Sequence, residues 1–315
     1  MISVITCSKK LDQALALKDN IATTIGVPHE VIIIDNTSGH HSLFSAYNEG
    51  VAKSRFSNLC FVHDDVQFEE EGWGLAVCRH LEQPNCGIIG LCGSPYQTHL
   101  PASWSFYGWS AYIIQSDRNR TLRIFEPSEG YDDNHEKPVV TLDGVFFCAS
   151  KTLFERIRFD EQTYSGFHLY DLDICMQAHN LGYTNKVIND VLLIHYSRGR
   201  HDADWVKNCL VFSEKWQSIL PAAVEDIPVT AIEAREYRYL KKTFIKNLIY
   251  AGYSNDDCRN VVLRLLAHPN CQLKGITART ITRWVLWVRL NKKPSSLLFP
   301  PRPKLPEGSP FSFHG

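Results

Sequence analysis

A histidine and two adjacent carboxylates, His63-Asp64-Asp65, close the apolar run LCFV at 59–62. An apolar run that stops on such a triplet reads as a buried parallel strand delivering charged side chains to its carboxyl end, the edge where open α/β sheets bind ligands. Strand side chains alternate, so His63 and Asp65 are expected on one side and Asp64 on the other. Two hard or borderline ligands on one side form a Mg²⁺ or Mn²⁺ site able to hold a diphosphate. The same triplet also fits a strand entering a polar turn, where Asp bonds its own backbone.

Other polar groups fall at comparable places. The run LLI at 192–194 ends on His195, either a packed residue or a third ligand beside Asp65. In GFHLYDLDIC at 166–175, Asp171 starts a helix and Asp173 lies in its first turn, positions that suit the helix dipole and equally suit a general base facing the site. The run VVTLDGVFFCAS at 139–150 reads as a strand with Asp143-Gly144 inside it, a glycine there permitting close backbone approach to a ligand. TCS at 6–8 and DNTS at 35–38 place Thr6, Cys7, Ser8, Asp35 and Asn36 at strand tips. They suit hydrogen bonding to a uracil or ribose, or else capping and turn formation.

The elements that would position these groups follow from periodicity. Apolar runs at 2–6, 31–34 and 59–62 alternate with amphipathic stretches at 11–25 and 42–53, the first closed by Gly26 and Pro28. Strand, helix, strand, helix, strand in this span predicts a mostly parallel sheet with right-handed crossovers. A helix at 72–81 and a strand at 86–91 follow; from 93 to 137 the pattern loosens around Trp104, Phe106, Tyr107, Trp109 and Tyr112, a sheet cover or a sugar platform. No G-x-G-x-x-G and no P-loop occurs, so dinucleotide binding and NTP hydrolysis lose support.

Composition bounds the class. The 315 residues are 44% hydrophobic and 21% charged, as in ordinary globular proteins that bury a sizeable core. The formal net charge of −1 hides an asymmetry: residues 1–230 hold 18 Lys and Arg against 29 Asp and Glu, residues 231–315 hold 15 against 5. Ten cysteines occur without a C-x-x-C pair and mostly inside apolar runs, which predicts reduced core residues. With no signal-like start and no apolar run of spanning length, a cytoplasmic location is expected, with no nucleic-acid partner.

In order, VITCS, VIIIDNTS, AYNEG (46–50), FVHDDV (61–66), LDGVFF (142–147), GFHLYDLDICMQAHNLGY (166–183) and LLIHYS (192–197) resemble the nucleotide-sugar glycosyltransferases of the GT-A fold, and are most similar to family 2 of those enzymes. The resemblance covers roughly residues 1–220. It implies an α/β, Rossmann-like GT-A domain over 1–225 and a metal-dependent, inverting transfer from a UDP-sugar to an acceptor hydroxyl of a glycan, lipid-linked or protein acceptor. His63-Asp64-Asp65 then stands as the D-x-D-type element, with Asp65 and His195 on Mn²⁺ or Mg²⁺ and Asp64 near the donor ribose. Asp35 and residues 6–8 fall at the uracil, and Asp171 is the catalytic base. Asn36, Asn48 of AYNEG, His63, Asp143 and Gly144 complete the donor side. His63 replaces the first D-x-D carboxylate, and Tyr170-Asp171 keeps one carboxylate of the usual pair.

Beyond this lies a basic helical region at 226–293, with amphipathic stretches at 232–250, 255–267 and 276–290, then a Pro-rich tail at 294–315. These helices either cap the catalytic domain or lie peripherally on the inner face of a membrane. The competing function is a non-catalytic GT-A-like module that binds a nucleotide-sugar or glycan. Joint presence of Asp65, Asp171 and His195 favours the enzyme.

Overall fold

Strands covered on both faces tend towards near-continuous apolar runs. A computed structural model describes residues 1–116, 122–125, 131–197 and 201–291. The chain opens with β1 (Ile2–Ser8), α1 (Leu11–Thr24), β2 (His29–Asp35), α2 (Leu43–Lys53), β3 (Asn58–Val62), β4 (Val66–Phe68), α3 (Trp73–Leu81) and β5 (Cys86–Gly90). Later helices are α4 (Tyr170–Asn180), α5 (Ala203–Lys215), α6 (Val229–Tyr239), α7 (Ile245–Tyr250), α8 (Asn255–Leu266) and α9 (Ala278–Leu290), with a π-helical turn at Leu240–Phe244 joining α6 to α7.

The main sheet has seven strands in the order Glu136–Val139, Thr184–Ile188, β5, Phe146–Ser150, β3, β1, β2. Five run parallel; Phe146–Ser150 and Glu136–Val139 run against their neighbours. The fold is thus the expected mixed α/β one, a mostly parallel sheet flanked by helices. Neighbouring side chains leave opposite faces. Ile5, Phe61 and Phe147 enter a core with Phe44 and Tyr47 of α2 and Met176 of α4, while Val4, Cys60 and Phe146 enter another with Leu17 of α1 and Val77 of α3. Gly50 lets α2 approach β1 closely, since a Cβ there would lie 2.3 Å from Ile5.

The run at 139–150 is not the single strand expected. Its strands Glu136–Val139 and Thr141–Leu142 are separated from Phe146–Ser150 by a turn that holds Asp143 and Gly144. The space beside Gly144 is filled by protein: an added Cβ would lie 2.0 Å from the Tyr170 hydroxyl. All ten cysteines are free, eight of them buried.

The C-terminal helices pack rather than dangle. Leu248 of α7, Val262 of α8 and Trp284 of α9 belong to the same apolar cluster as Phe212 of α5 and Phe147 of the sheet. Glu236 of α6 is buried and accepts from Thr98 Oγ1 at 2.6 Å. Residues 292–293 and the tail at 294–315 lie outside the described residues.

At the sheet's far edge, His80 of α3 is buried between two carboxylates, Glu136 Oε1 at 2.6 Å and Asp190 Oδ1 at 2.9 Å. Burial opposes its protonation, but the hydrogen bonds it donates to both carboxylates prevail and raise its pKa. A raised histidine pKa stabilises fully below the unfolded value of about 6.5 and ceases to do so as pH rises through the folded one. His80→Gln is therefore expected to cost about 1–3 kcal/mol at pH 6 and clearly less at pH 9. Thermal unfolding at the two pH values checks this; an equal loss at both would refute it.

Candidate active site

β3 ends on Val62, and the next amide, His63 N, donates to Val145 O at 3.0 Å, so the sheet ladder continues just far enough to fix His63 against the Asp143 turn. The strand Leu193–His195 pairs antiparallel with β4, setting His195 opposite Val66, and parallel with Ile113–Ser116, setting His195 opposite Gln115. Two distant segments thereby converge. His63 Nδ1 lies 3.9 Å and His195 Nε2 3.5 Å from Asp65 Oδ1, and one ligand atom from each residue lies within 4.8 Å of the others.

The surrounding groups orient these rings. His63 Nε2 meets the Tyr170 hydroxyl at 2.8 Å, and His195 Nδ1 meets Gln115 Oε1 at 3.1 Å. Gln115 is itself fixed by donating to the carbonyls of His195 (2.9 Å) and Ser197 (2.7 Å). Each imidazole thus turns its other nitrogen towards Asp65, the arrangement that outer-shell hydrogen bonds impose on metal-ligating histidines. Asp65 Oδ1 is buried with no hydrogen bond among the described residues. Burial alone would raise its pKa, but His195 and His63 together hold it well below the carboxylate range. Burial lowers the pKa of His63, whereas Asp65 outweighs burial at His195 and raises it. A carboxylate flanked by two imidazoles suits a divalent ion of the Mn²⁺ kind. His63, expected on the donor side, sits in this candidate ligand set.

Across the turn stands Asp171. Its Oδ2 accepts from Gly144 N at 2.9 Å and its Oδ1 from Leu172 N at 3.0 Å, while Tyr170 donates to Gly144 O at 2.9 Å. Burial first, then the charge of Asp143, pushes the Asp171 pKa up to about 7. Asp173, one turn position on, is directed elsewhere. Only 1% exposed, it accepts from Trp216 Nε1 (2.8 Å), Gln177 Nε2 (2.9 Å) and Tyr164 (3.2 Å), and pairs with Lys215 of α5. It joins α4 to α5 and is not confined to supporting the first helical turn.

Asp64 lies in the turn that follows β3 and turns away from the histidines, towards β1. Ser8 Oγ donates a short hydrogen bond to it and Gln13 lies at 3.4 Å; burial raises its pKa to about 6. The register places Ser8 opposite Asp35, so the tips of β1 and β2 adjoin. Thr6 Oγ1 is buried without a hydrogen bond among the described residues, and burial pushes the Cys7 thiol up to about 11. Asn36 spends its amide on the 36–41 loop, exchanging hydrogen bonds of 2.9 Å with the backbone of His41, and exposed Asp35 accepts from Thr37 N. Asn48 is not brought to this group: its amide bonds Phe159 O and N and Glu161.

Sequence reasoning missed Gln115, and Tyr170 and Phe167 as ring neighbours of His63. Phe167 is 53% exposed with its ring 5.6 Å from that of His63, in a loop bent by positive φ at Gly166 and Leu169. Two aromatics three residues apart, Phe167 and Tyr170, were the available signal.

Comparison with known proteins agrees with this fold. A protein of Fuscovulum blasticum named "ATP synthase subunits region ORF 6" is 25% identical over 201 residues, 62% of this chain and 74% of that protein. The solved structure of GalNAc-T7 with UDP, GalNAc and Mn²⁺ has a TM-score of 0.50 at 10% identity; the likeness covers 93% of this chain and 58% of that one. The mannosyltransferase PcManGT from Pyrobaculum calidifontis, in complex with GDP-Man and Mn²⁺, has a TM-score of 0.47 at 12% identity, covering 93% and 88%. No helix among the described residues is long and apolar enough to cross a membrane. Residues 1–216 match the glycosyltransferase-like family, and the chain belongs to that family, with the GT-A fold.

Proposed function

We propose that the chain is an inverting, metal-dependent transferase that moves a sugar from a UDP-sugar to an acceptor hydroxyl in cell-surface glycan or glycoconjugate synthesis. One observation carries this reading: a carboxylate with one unbonded buried oxygen, lying between two oriented imidazoles, stands across one turn from a carboxyl whose pKa is pushed up to about 7. A binding module needs no such base. GalNAc-T7, of the same fold, holds UDP with Mn²⁺, which supports the donor and the ion assigned.

Asp65, His195 and His63 would hold the ion, which when bound neutralises the diphosphate leaving group. The carboxylate of Asp171, kept in place by the Gly144 and Leu172 amides, takes the proton of the acceptor hydroxyl as it attacks the face opposite the leaving group. Thr6, Cys7, Ser8, Asp35 and Asn36 line the uracil side and Asp64 the ribose.

Calorimetry is expected to show UDP binding that requires Mn²⁺ or Mg²⁺, with Asp65→Ala abolishing the dependence. Gln115→Ala, which releases the His195 ring, should weaken metal affinity by about 10–100-fold. UDP affinity indifferent to metal in the unaltered protein would sink the assignment.

Because Asp171 is ionised only above about pH 7, kcat/KM should fall below that pH and level off above it. Asp171→Asn should lower transfer about 10²–10⁴-fold with UDP affinity nearly unchanged. Retained activity in that variant would remove the base. Asp173→Asn is expected to lower Tm first, through its buried contacts with α5.

An inner-membrane-face location is supported by α9, whose Arg279, Arg283, Leu286, Trp287 and Leu290 are all exposed. Cations beside exposed apolar side chains suit an anionic lipid surface. Sedimentation with anionic but not neutral vesicles, reduced by salt, is expected; equal behaviour with both lipids would leave α9 a solvated helix.

A further inference from the structure

A cleft of about 330 Å³ opens between α6 and the 107–109 segment, lined by Tyr107, Gly108, Trp109, Ala231, Ala234, Arg235 and Arg238. It is at the small end of ligand sites, which run from about 300 to 1,000 Å³. Its chemistry is specific: two aromatic rings, three residues with little or no side chain, two arginines and no carboxylate. Trp109 is 42% exposed, and its ring stands edge-on to Trp104 at 6.2 Å. The positive φ of Gly108 sets the bend that presents it.

The opposite wall is held as firmly. Buried Glu236 ties α6 to Thr98, Tyr239 donates to Pro101 O at 2.6 Å, and Arg235 Nε donates to Phe106 O at 2.9 Å. Arg238 is exposed at the mouth.

The cleft also has a definite place relative to the catalytic turn. Ser110 pairs with Gly93 and Ala111 with Cys92, Gly93 pairs with Leu142, and Cys92 O accepts from Asp143 N at 2.8 Å. Trp109 therefore immediately precedes a strand two spacings from the one leading into Asp143, on the order of 10 Å across the sheet. That exceeds the span of one pyranose unit, so the cleft would take a unit beyond the immediate neighbour of the reacting one.

Resting on the transferase reading above, we propose that this cleft is an acceptor subsite for a sugar bearing an anionic group, carboxylate or phosphate. Aromatic faces take the C–H side of a pyranose, and guanidinium groups pair with carboxylate or phosphate oxygens. The small side chains of Gly108, Ala231 and Ala234 leave room for the ring. The arginines come from α6, beyond the residues that match the family, so the basic C-terminal region would supply the acceptor preference of this chain.

The test uses the full chain and three probes: maltotetraose as the neutral sugar, tetragalacturonate for carboxylate and maltose 1-phosphate for phosphate. Calorimetry in low salt is expected to show binding of at least one acidic probe and at least tenfold weaker binding of maltotetraose, with the stronger acidic probe identifying the anion. Arg238→Gln and Trp109→Ala, both at exposed side chains, should each weaken that binding tenfold or more while leaving Mn²⁺-dependent UDP affinity unchanged. Acidic and neutral probes binding alike, no acidic probe binding, or acidic binding indifferent to both substitutions overturns the subsite. Failure of the transferase reading is separate, showing as absent UDP binding in the unaltered protein.

Discussion

A carboxylate oxygen taken out of water without a hydrogen bond is costly unless a positive charge meets it. Asp65 Oδ1 is such an atom, and much of the site's architecture serves to meet it. Two imidazoles approach it, His63 from two residues earlier and His195 from a strand remote in sequence, each with its far nitrogen held, one by Tyr170 and one by Gln115. Burial makes His63 reluctant to protonate while Asp65 favours protonation of His195. A divalent ion held by the two rings would meet the same carboxylate by direct coordination.

The same constraint explains the strand arrangement around the site. Phe146–Ser150 runs against β3 and β5, which brings its leading turn, with Asp143 and Gly144, beside His63 at the sheet's carboxyl edge. A parallel strand would have sent that turn to the opposite edge. Glycine at 144 then allows the Tyr170 ring to reach His63 while its own amide holds Asp171.

The sequence made the ends of β3 and of the Leu193–His195 strand legible because each is an abrupt change from apolar to charged, which local pattern registers well. The break inside 139–150 was not legible, since Asp143-Gly144 suits a bulged strand and a turn equally until Tyr170 is seen filling the space. Asn48 illustrates a different limit: an amide on a helix face can be claimed by any backbone it meets, and here Phe159 claims it. Asp171 and Asp173 looked interchangeable because both lie in the first turn of α4. Their separation depends on α5, whose Lys215 and neighbouring Trp216 take up Asp173 from a distance in sequence that no motif records. The charge break near residue 230 described the surface; the apolar faces beneath it belong to the core of the sheet.

The pairing of His195 with Val66 spans most of the catalytic region. On the ribosome, residues 63–65 emerge and can join β1 and β2 long before residue 195 exists. Throughout that interval Asp65 lacks its strongest partner, and the half-built edge is better left open to water than closed. Sealing of this edge is consequently a late event in synthesis. A chain arrested before residue 195 would carry much of a sheet but only part of the candidate ligand set, so metal capture at the proposed site would report completion of the domain and not its initial collapse.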